Sequence, residues 1–259
     1  MAKIFAAQGR YGAALSAMQD ALKIFQASKE ASAFTVEITG GWGDLLGQVG
    51  RADEGYQSLH DALNIAHQIK NDSAVAMATN LIGDASFYKG DYNAAQQQYD
   101  RGLQIATKAS DKEQVLLAKV DKAKTDVSQG HAQAALGGLK KLTQDADALG
   151  LKSLAVESSV YLGAAMLAAN DFKGARQQLD LSLARAEKLG LRILEAQADY
   201  QLALLLTRTG SAKEATPHYR KVVRILEGIS KEDGSARVLE RADLQAIYRD
   251  SIKGFQGVN

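Results

Sequence analysis

Four histidines, His60, His67, His131 and His218, are the first residues to weigh as metal ligands or proton carriers. His60 and His67 stand seven apart and so share one face of a helix, a spacing that could hold a metal if a third ligand joined them. No third ligand falls in register, and the pair reads as two solvated surface imidazoles. With no cysteine in the chain, disulfides, thiolate metal sites and cysteine nucleophiles are excluded. The run Gly40-Gly41-Trp42-Gly43 has the glycines of a phosphate loop but no following Lys or Ser/Thr, and reads as close helix packing around Trp42. No nucleophile elbow and no paired His-Glu metal motif occurs. The expectation is a protein that is not an enzyme, with no metal and no cofactor.

Composition narrows the class. Of 259 residues 46% are hydrophobic and 24% charged, ordinary for a soluble domain, and a single proline with no strand-like alternation argues for an all-α fold. A formal charge of +1 gives no electrostatic reason to expect nucleic acid, and no polybasic block points to a membrane surface. No apolar run has the length of a membrane span or signal-peptide core. The cytoplasm is the default compartment.

The elements that would position any site are repetitive. Gly90, Tyr92, Ala95, Tyr99 and Leu103 set a spacing that recurs from anchors at Gly9, Gly50, Gly90, Gly130, Asn170 and Gly210, separated by 41, 40, 40, 40 and 40 residues. Ala14, Gly55, Ala95, Ala135, Ala175 and Ala215 follow the anchors by five, and Met18, Leu59, Tyr99, Leu139, Leu179 and Tyr219 by nine. These residues share a helical stripe. Small residues precede each anchor by seven: Ala2, Gly43, Gly83, Ala123, Gly163 and Ala203. The anchor ends one helix at a position needing positive φ, and the small residues let two helices approach closely. Gly150 and Gly190, again 40 apart, stop the second helices. A period of this size means stacked helix pairs, none able to bury its apolar face alone.

This pattern resembles the tetratricopeptide repeat (TPR). Gly83, Tyr92, Ala95 and Tyr99 match the family's small, aromatic, alanine and apolar positions, and Gly163, Phe172, Ala175 and Leu179 nearly so. The period departs from the family's roughly 34 residues, so either each helix is about a turn longer or each loop is wider. The resemblance implies an all-α, right-handed superhelix of about six helix-turn-helix repeats plus a C-terminal capping helix. The repeats would cover about 1–34, 36–75, 76–115, 116–155, 156–195 and 196–232 of one domain, with the last helix at 236–254. In that last segment Val238, Leu239, Leu244, Ile247, Tyr248 and Ile252 read as one apolar stripe. Only two turns of helix precede Gly9, which suggests a chain that continues a longer protein, while the C-terminus reads as genuine.

The resemblance also implies a concave groove lined by first helices. Carried over, groove positions fall on Asp44 and Gln48, on Asn80, Asp84, Phe87 and Tyr88, on Lys124 and Ser128, and on Tyr200, Thr207 and Arg208. The family's carboxylate clamp needs Lys and Asn where this chain has Asn80 and Asp84, so chaperone tails are disfavoured. The aromatics would anchor a peptide, or else Phe87 and Tyr88 close the turn against the next unit. The fourth unit stands apart, with Lys119, Lys122 and Asp126 where apolar packing is usual and Thr143 in place of leucine. Either its helix is rotated or the charged stems snorkel. In the sixth, Ser211 and Glu214 read as a capping box ahead of Pro217. The functional expectation is a non-catalytic scaffold binding a protein or peptide segment in the groove, as part of a larger bacterial signalling protein. A small-ligand sensor and self-association through the exposed N-terminal edge are the alternatives.

Overall fold

The computed structural model describes residues 1–28 and 31–256; among them are thirteen α-helices and no strand. Pairs form around the anchors. α1 (Ala2–Ala7) and α2 (Tyr11–Ser28) flank Gly9; α3 (Ala33–Gln48) and α4 (Ala52–Gln68) flank Gly50; α5 (Asp72–Tyr88) and α6 (Tyr92–Lys108) flank Gly90. α7 (Lys112–Ser128) and α8 (Ala132–Ala148) flank Gly130; α9 (Lys152–Ala168) and α10 (Phe172–Leu189) flank Asn170; α11 (Arg192–Arg208) and α12 (Ala212–Ser230) flank Gly210. A 3-10 turn at Val238–Glu240 precedes α13 (Ala242–Gln256).

Every anchor has positive φ, from 62° at Asn170 to 85° at Gly130. Lys70, Ser110, Gly150 and Gly190, between the pairs, form a second positive-φ series at 54° to 74°. Each turn closes on freed carbonyls of the helix before it: the Asp91 amide donates to Ser86 O at 3.0 Å and the Gly90 amide to Phe87 O at 2.9 Å. α5 and α6 are 17 residues each. The turns 89–91 and 109–111 take three residues apiece, so the long period goes into longer helices. First helices start about a turn ahead of the expected boundaries; at α3, α5 and α7 the side-chain oxygens of Ser32, Asn71 and Asp111 accept the amides of the first turn.

Helix crossings depend on the small residues. A Cβ at Gly43 would stand 2.7 Å from Leu59, one at Gly83 2.6 Å from Tyr99, and one at Gly163 2.6 Å from Leu179. Each case pairs the residue seven before an anchor with the residue nine after it. In the glycine run of α3, Gly40 and Gly43 are buried and a Cβ at Gly41 would meet Met18 at 3.1 Å, which is close helix packing on several sides. His60 and His67 are exposed on α4.

The chain packs as two compact units. One comprises Met1–Ala6, Arg10–Lys122 and Glu232–Ala242; the other comprises Ala7–Gly9, Ala123–Lys231 and the residues from Asp243 onward.

Two local expectations are corrected, and in the fourth unit one of the two readings holds. The last helix begins at Ala242, because Arg241 is extended (φ −59°, ψ 131°) and Val238 and Leu239 lie in the preceding turn. Ser211 makes no side-chain cap; its backbone carbonyl accepts the Glu214 amide at 2.9 Å. In α7, Lys119 is exposed and Lys122 pairs with Asp100, while Asp121, Lys124 and Thr125 are buried, so the helix is rotated. Thr143 takes up the change by pairing its hydroxyl with Ser158 at 2.9 Å.

Candidate partner-binding face

Within the first unit, α3 and α5 carry six of the residues singled out by sequence. On α3, Gln48 Nε2 donates to Asp44 Oδ2 at 2.8 Å, an i,i+4 bond that fixes both side chains. On α5, Asp84 accepts the Tyr99 hydroxyl at 2.7 Å, so its carboxylate turns toward the second helix of its own pair. Asn80 is only 4% exposed and donates to Gln114 Oε1 at 3.2 Å. Its Oδ1 would lie 1.9 Å from any Cβ at residue 102, which is why that position is glycine. Phe87, 1% exposed, packs against Ala95, Tyr99 and Tyr92 and closes the turn. Its ring is core. Tyr88 keeps partial exposure, but the Arg241 guanidinium lies over its ring at 4.4 Å.

The second unit holds the other five. Lys124 is 5% exposed, and its ammonium meets Glu157 at 3.2 Å. Burying a cation is costly, and this carboxylate is the compensation. Ser128 is exposed at the end of α7, its hydroxyl donating to Lys124 O at 2.9 Å. The Tyr200 hydroxyl donates to Asp250 on α13 at 3.3 Å, and Phe255 of the same helix joins its apolar cluster. Burial pushes the Tyr200 hydroxyl pKa well up, and the Asp250 charge adds to this. Thr207 is exposed, with its hydroxyl back-bonded to Ala203 O at 2.8 Å. Arg208 donates to Leu167 O at 2.8 Å and Asn170 Oδ1 at 2.6 Å and lies 5.3 Å from the Phe172 ring. It clamps the α9–α10 turn.

Within each unit the structure thus engages most of these residues with partners in their own unit. Asn80, Phe87 and Lys124 are interior, and Tyr88 and Tyr200 are covered by the chain's own C-terminal residues. What a partner could reach is Gln48 and Asp84 in part, and Ser128, Thr207 and Arg208 more fully.

A polar ladder escaped the sequence reading. Thr79, Ser159 and Asp199 stand eleven before their anchors and are buried between paired helices. Gln178 bonds Ser159 at 2.5 Å, and His218 Nδ1 lies 2.7 Å from Asp199 Oδ1 in the equivalent place of the next pair. Beside the latter, Lys221 contacts Glu187 at 2.6 Å and Glu195 and Asp199 at 3.0 Å. Burial pulls the Lys221 pKa down, but the three carboxylates outweigh it and hold the value well above the usual lysine range. The signal was there as polar residues 40 apart at Thr79, Lys119, Ser159 and Asp199. Asp199 and His218 have the orientation of a base dyad, but Lys221 neighbours them rather than a nucleophile, and the cluster ties α12 to α11.

No protein-family model and no curated protein sequence matches this chain. Solved structures do. A Rap protein complexed with competence and sporulation factor superposes with a TM-score of 0.66 at 14% identity, covering 93% of this chain and 75% of that one. The apo form of RapI gives 0.61 at 15% identity, covering 95% and 91% respectively. At such identities the likeness is one of fold, and the chain has the all-α helical-repeat fold found in these Rap proteins.

Proposed function

We propose that the chain is a non-catalytic binding scaffold of the tetratricopeptide type, in a 40-residue variant, that holds an extended segment of a partner protein against its first helices. The reading places it in the cytoplasm as a regulatory region of a bacterial signalling protein; no helix among the described residues is long and apolar enough to cross a membrane. The observation that carries the reading is the fold match over 93% of the chain to a protein solved with a bound factor. Physical reasoning supports it: stacked first helices offer successive side chains to one extended segment, and a few anchors supply most of the affinity.

The test is site-specific photo-crosslinking. Peptides are selected from a displayed library against the intact protein, then bound to variants with a photo-reactive residue in place of Ser128 or of Arg101, which is exposed on a second helix. Crosslinking from position 128 and not from position 101 is expected. Crosslinking from 101 alone, or failure to select any peptide, overturns the reading.

A cavity in the first unit favours a second reading, small-ligand sensing. It measures about 520 Å³ and is lined by Leu22, Phe25, Thr35, Thr39, Asn64 and Ile65 among others, within the range of small-molecule sites. Saturable binding of a fragment there, without peptide capture, would favour it.

A further inference from the structure

The segment Glu232–Ala242 belongs to the first unit, although the helix before it and the residues after it belong to the second. It lies across the turns of successive helix pairs. Glu232 Oε2 accepts the Gly12 amide at 3.5 Å, and a Cβ at Gly234 would be 2.6 Å from Leu15. At Gly50 a Cβ would be 1.9 Å from the Arg237 carbonyl oxygen, and at Gly90 it would be 3.0 Å from Ala242. The anchor glycines that permit positive φ in the repeat turns thus also let this segment approach.

Arg241 is the centre of the contact. It is 6% exposed, lies over the Tyr88 ring at 4.4 Å, and donates to Gln48 O at 3.2 Å and toward the Tyr11 hydroxyl at 3.5 Å. One guanidinium therefore engages α2, the end of α3 and the end of α5. The face of an aromatic ring with a helix-terminal carbonyl is a cradle suited to arginine, whose planar cation stacks and donates at once. The segment's own amides are bonded within it: Ser235 to Glu232 O at 3.1 Å, Val238 to Ser235 O at 3.0 Å and Glu240 to Arg237 O at 2.9 Å.

We propose that residues 232–242 are an intramolecular ligand, a strap whose Arg241 fills the Tyr11–Gln48–Tyr88 cradle and withholds it from an arginine-bearing segment of a partner. The proposal deepens the binding reading by naming what occupies and regulates one end of that face. A partner that places an arginine in the cradle must displace Arg241, so strap release and partner capture are linked.

The probe is a fluorescein-labelled peptide with the sequence of residues 232–242, titrated against the intact protein. The Arg241→Ala protein should capture this peptide at least tenfold more tightly than the wild type, and a peptide carrying alanine at the Arg241 position should not bind. Hydrogen exchange supplies the second readout. In Arg241→Ala the amides of 232–242 should exchange at least tenfold faster, with those of α5 unchanged. Absence of peptide capture, or loss of α5 protection together with the strap, overturns the proposal. If Arg241→Ala does not fold, Tyr88→Leu and Tyr88→Phe decide: faster strap exchange in the leucine variant alone supports the cradle, and equal exchange in both overturns it. Because the probe is the chain's own segment, failure to select an external peptide leaves these outcomes untouched.

Discussion

A methyl group added at Gly83 would stand 2.6 Å from the Tyr99 ring, and Ala95 across the same crossing is fully buried. At this contact there is room for a hydrogen atom on one helix and a methyl on the other. Ala95→Leu should therefore overpack the α5–α6 pair, costing about 1–3 kcal/mol and lowering the melting temperature in a calorimetric scan. An unchanged melting temperature would mean that the crossing tolerates bulk. The small residues and their partners were legible in sequence because packing of this kind leaves a periodic trace. Asn80 and Lys124 were less legible. They occupy positions that face the groove in the resembled family, yet here each turns inward to a specific partner, Gln114 and Glu157 respectively. A carried-over position does not reveal where a side chain points when the helices are longer.

At the scale of elements, helix ends were the easiest feature to read and helix rotation the hardest. Positive-φ anchors impose a local chemistry, glycine or asparagine, that stands out residue by residue. The rotation of α7 depends on which of Asp121, Lys124 and Thr125 finds a buried partner, and that is settled between helices rather than along one. The break before α13 has the same origin, since Arg241 becomes extended where its guanidinium reaches Gln48 O. α12 offers a cleaner case. Pro217 lies inside it and is exposed, with the helix continuing to Ser230. Proline has no amide hydrogen to give the Lys213 carbonyl four residues back, and its ring crowds that oxygen. Pro217→Ala should restore the bond and raise stability by up to about 3 kcal/mol, read as a higher urea midpoint at constant slope. A lower midpoint would show that the ring has been recruited into packing.

For the whole molecule, the fold class was legible from the 40-residue period, whereas the covering of Tyr88 and Tyr200 was not. The period reports contacts between neighbouring pairs. It is silent on residues far along the chain that return to cover Tyr88 and Tyr200, because Arg241 and Asp250 stand outside the repeat. The aromatics singled out as anchors are thus internal packing or already engaged, and under the proposed scaffold reading the exposed ends of the first helices are what is left for a partner to reach. The most direct measurement is calorimetric titration of a library-selected peptide into the intact protein and two variants. Ser128→Arg places a bulky cation on the exposed end of a first helix, and Arg101→Glu alters a second helix. One-to-one binding that weakens at least tenfold, about 1.4 kcal/mol, in Ser128→Arg and is unchanged in Arg101→Glu is the predicted result. Binding lost in Arg101→Glu and kept in Ser128→Arg would contradict the scaffold reading.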